Sequence, residues 1–332
     1  MIQKTYKIRN KADFVTWLEN IKMSEEYENA HSVLIKGLTA QFMDYDIMEA
    51  HNKIVEALPK ATAVGMSLTS FGRKNFTKVA NASRFFERYV IASCTFFDKS
   101  EINIIECGED MLDSGEVAIY IRHQLQKIPN IKAVEVMSTG KTRYNSTLLE
   151  EISTGFEDVP FFGAEAGVLN HKMDEGFRSM APNISNKQVK QYIIGEKYHS
   201  DGVILIVYSG EDLQVYSEYN LSWKPLGKKM TITKAIGSTC IATIDDIPAA
   251  KIYKNYLNVE PDDFFLMNVC EFPLLLTRNN CTIARVPPMH DEKGWLYFGG
   301  DVHEGEKVRL SYANPQEMLD DTFESSKRMR KF

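Results

Sequence analysis

No apolar run in this 332-residue sequence approaches the roughly 18–20 residues needed to cross a bilayer. The first residues, "MIQKTYKIRNKADF", lack the apolar core of a secretion signal. The five cysteines are odd in number and scattered, with no CxxC pair, which excludes a disulfide framework and a cysteine-based zinc site. A basic surplus is missing too. The formal charge of −6 argues against nucleic acid, whose phosphates call for a basic surface. The seven histidines stand singly, so no metal cluster is visible. GxGxxG, GxSxG and HExxH are all absent, and no cofactor is implied. What remains is a soluble cytoplasmic protein of ordinary globular composition, long enough for two domains or one duplicated one.

A duplication is the strongest positive signal. "IIECGED" (104–110) and "LIVYSGED" (205–212) are apolar runs ending in the same three residues. Upstream of each lies an ordered series of counterparts. "SVLIKGL" (32–38) matches "KAVEVMS" (132–138), and each precedes a helical pattern. "DIMEAHNKIVEAL" places Ile47, His51, Ile54 and Leu58 on one face, and "NSTLLEEISTGF" does the same with Leu148, Leu149 and Ile152. "ATAVGMSLTSFG" then parallels "DVPFFGAEAG", and "RYVIASCTFF" parallels "QYIIGEKYHS". The expected fold class is α/β: pseudo-symmetric duplicated β-α-β-β-β units at about 31–110 and 131–212, in mixed sheets, followed by a smaller α+β carboxy-terminal part. The acidic residues of the two Gly-Glu-Asp turns read as solvated hairpin ends.

Beyond residue 212 the pattern becomes an antiparallel meander, with a turn expected at Pro225–Gly227. A helix opened by Asp245 or Asp246 follows, then strands near 272–277, 281–286, 295–298 and 307–312. The polar tail 314–332 reads as a helix with a thin apolar stripe.

"STGKTRYNS" invites comparison with a phosphate loop, but Glu135 stands where such a loop needs its first glycine. More informative are two glycine-bearing loops at equivalent strand ends, since carboxyl ends of strands in α/β folds collect ligands. The first offers Gly65, Ser67, Thr69 and Ser70; the second offers Gly163 and Glu165. Small residues there also suit tight strand–helix turns. Arg285, on an otherwise apolar strand, needs a carboxylate from the protein or from a ligand. Trp223 is a candidate wall residue, with core packing as the alternative.

These segments, with "AVGMSLTS", "PFFGAEAG", "YNLSWKPLGKKMTITKA", "ATIDDIPAAKIY", "CTIARVPP" and "GWLYFGGDVHEGEKVRLSY", resemble the FIST domain, a sensory domain of bacterial signalling proteins. The resemblance covers about 30–315. It implies an N-type region over 1–258, a C-type region over 259–315 and a helical tail over 316–332. Asp246 departs from the family pattern, which commonly has glycine there. The resemblance also implies an input module that binds a small ligand, amino acids being the proposed class. Its output domain, such as a diguanylate cyclase or histidine kinase, would be attached or separate. Pairing of the terminal helix makes a homodimer plausible, and neither nucleic acid nor membrane is an expected partner. A protein-interaction scaffold and a small-molecule hydrolase or transferase using a loop hydroxyl or Cys94, Cys107 or Cys240 remain the alternatives.

Overall fold

Along most strands of the first 215 residues, odd and even positions are both buried, so each sheet is covered on its two faces. The computed structural model describes residues 1–40, 47–68, 90–114, 116–139, 145–167, 191–262, 265–278 and 281–332. The chain divides near Val215 into two compact units. Among the described residues no helix is long and apolar enough to cross a membrane.

The first unit runs β1 (Ile2–Ile8), α1 (Lys11–Lys22), α2 (Glu25–Asn29), β2 (Ser32–Ala40), α3 (Ile47–Ala57), β3 (Ala61–Leu68), β4 (Val90–Phe97) and β5 (Glu101–Gly108). It continues with α4 (Glu109–Ser114), α5 (Val117–Leu125), β6 (Ile131–Ser138), α6 (Asn145–Ser153), β7 (Phe161–Glu165), β8 (Ile193–Ile194), β9 (Tyr198–His199) and β10 (Gly202–Ser209). Local chemistry starts the first helices. The Asn10 side chain accepts from Asp13 N–H, and Ser24 accepts from Tyr27 N–H, each satisfying a donor the helix cannot.

Two sheets result, ordered β1-β4-β2-β3-β8-β9 and β5-β10-β6-β7. In the first, β1 and β2 both run antiparallel to β4 and β2 is parallel to β3; in the second, β5 and β6 run antiparallel to β10 and β6 is parallel to β7. The alternation of side chains sorts the core into layers. Ile8, Val33, Ile35, Ala92 and Cys94 pack against Phe14, Trp17 and Ile21 of α1. Val134, Val136, Val203 and Leu205 pack against Ile121 of α5 and Ile152 of α6. Leu34, Met66 and Phe97 of one sheet meet Met137, Ile204 and Ile206 of the other. The order is helices, sheet, sheet, helices.

This is the duplicated mixed α/β arrangement expected, with its correspondences redrawn. Strand order and direction match β1 with β5, β4 with β10, β2 with β6 and β3 with β7. The repeat therefore starts at β1, one strand earlier than the β-α-β-β-β unit, and includes the helices between its first two strands. The two Gly-Glu-Asp sequences are not equivalent points. They follow β5 and β10, neighbours in one sheet paired from Gly202↔Gly108 to Ser209↔Glu101. Glu109 and Asp110 open α4, where acidic groups suit the helix N-terminus, and Asp212 meets Lys99 on the surface. The counterpart of "RYVIASCTFF" is β10. "QYIIGEKYHS" instead makes the small β8–β9 hairpin on the edge of β3.

With Gly65 and Gly163 aligned, as the sequence suggests, the pairing registers carry the correspondence across to β2 and β6. Gly37 lies opposite Gly65 in the first sheet, and Val136 lies opposite Gly163 in the second. Lys36 and Glu135 are thus equivalent positions. Both face the interior between the sheets, where the Lys36 ammonium lies 3.0 Å from both carboxylate oxygens of Glu135 and the Tyr208 hydroxyl donates to the same group at 2.6 Å.

The second unit contains β11 (Lys224–Ile236), β12 (Cys240–Ile244), β13 (Ile247–Pro248), α7 (Ala249–Leu257), α8 (Phe265–Val269), β14 (Leu274–Arg278), β15 (Cys281–Arg285), β16 (Met289–His290), β17 (Leu296–Tyr297), β18 (Lys307–Tyr312) and α9 (Pro315–Lys331). Its antiparallel sheet is ordered β15-β14-β18-β11-β12-β17-β16, with β13 beside β12. Ile232, Ile244, Tyr253, Phe265, Leu274 and Leu310 centre its core. Two local expectations change. Pro225–Gly227 is no turn: β11 continues through it with a register shift between Leu226 and Met230, where Gly227 has φ +71°. Asp245 and Asp246 do not cap a helix. With φ of +48° and +63° they form a two-residue turn between the paired Ile244 and Ile247, and Pro248 stands at the N-cap position of α7 without a side-chain cap.

Candidate functional site

Gly37 and Gly65 sit side by side on adjacent parallel strands near their carboxyl ends, on the face that carries α1 and α3. Two missing side chains at one level leave a hollow that the helices roof. Phe14 and Trp17 come from α1; Ile47, His51 and Ile54 come from the α3 face read in the sequence. The cavity is about 60 Å³, and one water needs roughly 10–15 Å³ on that scale. Thr39, Met66 and Tyr192 close its strand-end side.

Most polar groups on these walls are already engaged. His51 Nε2 lies 3.1 Å from Ala63 O, which makes Nε2 the protonated nitrogen. The Thr39 hydroxyl is hydrogen-bonded to the Tyr192 hydroxyl and lies 3.5 Å from Met66 O. Trp17 is only 5% exposed, and its Nε1–H has no hydrogen-bond partner among the described residues. It makes a weak contact with the Cys94 thiol. Burial pushes that thiol up to about 12, and the indole N–H opposes the shift. No carboxylate, ammonium or guanidinium is among the described lining.

The equivalent place in the second copy is filled. Val136 occupies the position of Gly37 and packs with Leu148 and Ile152. Gly163 serves the backbone rather than a ligand: its φ is +156°, and a Cβ there would lie 1.9 Å from Val136 O. Glu165 ends the same strand on the exposed edge. The two glycine loops do meet, through protein groups. Gly167 N–H donates to Ser67 O at 2.7 Å, and the Ser67 hydroxyl, fully buried, donates to Gly167 O at 3.0 Å. Ser67 Oγ also accepts from Tyr192 N–H at 3.1 Å. This side chain ties the copies together. Thr69 and Ser70 lie outside the described residues.

Arg285 and Trp223 belong to the second unit. Arg285 has found its carboxylate within the protein, donating from Nη2 to Asp301 Oδ1 at 2.9 Å and from Nε to Asp301 O at 3.1 Å. Asp301 also holds Arg278 and His303, and Arg278 pairs with Glu306 at 2.5 Å. Gly300 allows the approach, since a Cβ there would lie 2.8 Å from Arg285 Cζ. Trp223 is half-buried just before β11.

Family models account for nearly the whole chain. The FIST N domain matches residues 37–247 and the FIST C domain matches 249–331. The chain belongs to the FIST family. No curated protein matches it. FIST domains are sensory domains of signal transduction, and this FIST chain is accordingly a sensory domain.

Burial keeps its three interior thiols protonated. Burial pushes the Cys107 thiol up to about 12 and raises Cys240 as well. A FIST nucleophile drawn from these residues or Cys94 would be a protonated, inert thiol at neutral pH. The crevice residues the sequence did not single out are Gly37, Trp17 and Tyr192. Gly37 carried a usable signal, a glycine inside a strand pattern, which marks close approach or missing volume.

Proposed function

We propose that this FIST chain is a cytoplasmic input module. It binds a small metabolite in the crevice between the first sheet and helices α1 and α3. It then regulates an output domain such as a diguanylate cyclase or histidine kinase. One observation carries the proposal: a cavity at the carboxyl ends of two parallel strands, made by paired glycines and walled by Trp17 and His51. That is the place in α/β folds where ligands collect. Signalling requires only that the ligand prefer one of two conformations of the module. We place the output contact on α9, which exposes Leu319 and Phe323 one turn apart.

The test is a thermal-shift and calorimetric screen of the twenty amino acids together with small neutral metabolites. A true ligand at a hundred times its Kd stabilises the folded state by about 2.7 kcal/mol, a shift of several degrees. Silence of the whole screen on folded protein sinks the proposal.

A further inference from the structure

We infer that the crevice selects neutral, largely apolar small molecules and excludes zwitterions, and that the first copy alone keeps it open. This rests on the crevice being the ligand site and narrows what enters it.

Charge complementarity is the first argument. A zwitterion carries a carboxylate and an ammonium, each costly to bury unless paired. The described lining offers no charged side chain to either. Thr39, Tyr192 and the Nε2 of His51 are committed to protein hydrogen bonds. The Trp17 N–H has only its weak contact with the Cys94 thiol among the described residues, and it is an uncharged single donor. The remaining walls are Ile8, Phe14, Ile35, Ile47, Ile54 and Met66, which reward apolar contact only. At about 60 Å³ the space equals roughly four to six waters, which fits a branched aliphatic or single-ring body.

Asymmetry is the second argument. Valine stands at 136 where the first copy has Gly37, and the second copy has a packed helix–sheet interface there. Nothing in the backbone requires glycine at 37. It has no positive φ, and among the described residues a Cβ there would meet Val64 O at 3.7 Å and Val90 Cγ1 at 3.9 Å, ordinary contacts. A glycine inside a strand lowers stability and is not needed for the chain path, so what it supplies is volume.

The experiment compares matched probes by calorimetry and thermal shift: p-cresol against tyrosine, and 3-methylbutanol against leucine, on wild type and Gly37→Val. The expected result is that a neutral probe binds at least tenfold more tightly than its zwitterionic partner. Gly37→Val should abolish that binding while melting at the same or a higher temperature. Zwitterions that bind as tightly as the neutral probes, and are lost in Gly37→Val, overturn the neutral selection and leave the crevice as the site. If no probe binds wild type, or Gly37→Val leaves binding unchanged, the crevice itself is wrong and this inference falls with it. Gly37→Ala, which adds only the Cβ, repeats the comparison should valine prevent folding.

Discussion

Replacing Lys36 with methionine strands a carboxylate between two sheets. Glu135 is 12% exposed and Lys36 23%, and the charges are 3.0 Å apart. With an effective dielectric of about 20, the attraction at that distance is roughly 5–6 kcal/mol, from 332/(20 × 3.0). Desolvation of both ions offsets much of it. The single change leaves Glu135 with the Tyr208 hydroxyl as its remaining side-chain donor among the described residues, and costs about 2–4 kcal/mol, the lower end allowing for residual exposure. Glu135→Leu costs less, about 1–3 kcal/mol, because a lysine stem can carry its ammonium toward water. The double variant is expected within about 1–2 kcal/mol of wild type, with the unpartnered Tyr208 hydroxyl accounting for the deficit. The assay is urea unfolding followed by circular dichroism for all four proteins, repeated at low and high salt. Coupling should reach about 2 kcal/mol and resist salt, since a buried pair is poorly screened. Additive effects, with coupling below about 0.5 kcal/mol, would refute the contact and with it the face-to-face packing of the copies.

Arg285→Gln leaves Asp301 short of a buried partner, so stability should fall by about 2–3 kcal/mol in urea unfolding while ligand affinity is unchanged. Lost binding with an unaltered midpoint would return Arg285 to a ligand site. Asp246→Gly relieves an aspartate held at φ +63° and should raise stability by about 0.5–1 kcal/mol, read as a higher melting temperature. A neutral or lower value would show that its backbone bond to Thr233 does not hold the turn without an aspartate. For thiol chemistry, Cys270 and Cys281 are exposed and should react within minutes with a disulfide reagent at pH 8, while Cys94, Cys107 and Cys240 wait for unfolding. Fast modification of Cys94 in folded protein would contradict its thiol being held up near 12.

Much of the architecture was legible because buried strands advertise themselves. The runs around 32–38, 132–138 and 202–209 are apolar on both faces, and the helix of Ile47, His51 and Ile54 showed its period plainly. The repeat boundary was not legible. β1 is an edge strand whose sequence "IQKTYKI" is mostly exposed, so it carries no apolar run to match against β5. Any buried strand that ends at the surface meets a polar turn, which is why Gly-Glu-Asp recurs on two neighbours that are not counterparts. At the site, Gly65 and the α3 face were visible locally. Gly37 and Trp17 gain meaning only when β2 lies beside β3 and α1 crosses above, a long-range fact that spacing does not encode. Arg285 showed the need for a carboxylate, and only the fold brings Asp301 to it.

The Lys36–Glu135 pair records an order of events. In a symmetric dimer of identical chains, a residue near the two-fold axis faces its own copy, so lysine would oppose lysine and glutamate would oppose glutamate. Opposite charges at equivalent places become available only once the two halves are encoded separately and each can change alone. The same freedom lets one half carry a glycine where the other carries valine, so one half holds a hollow that the other fills.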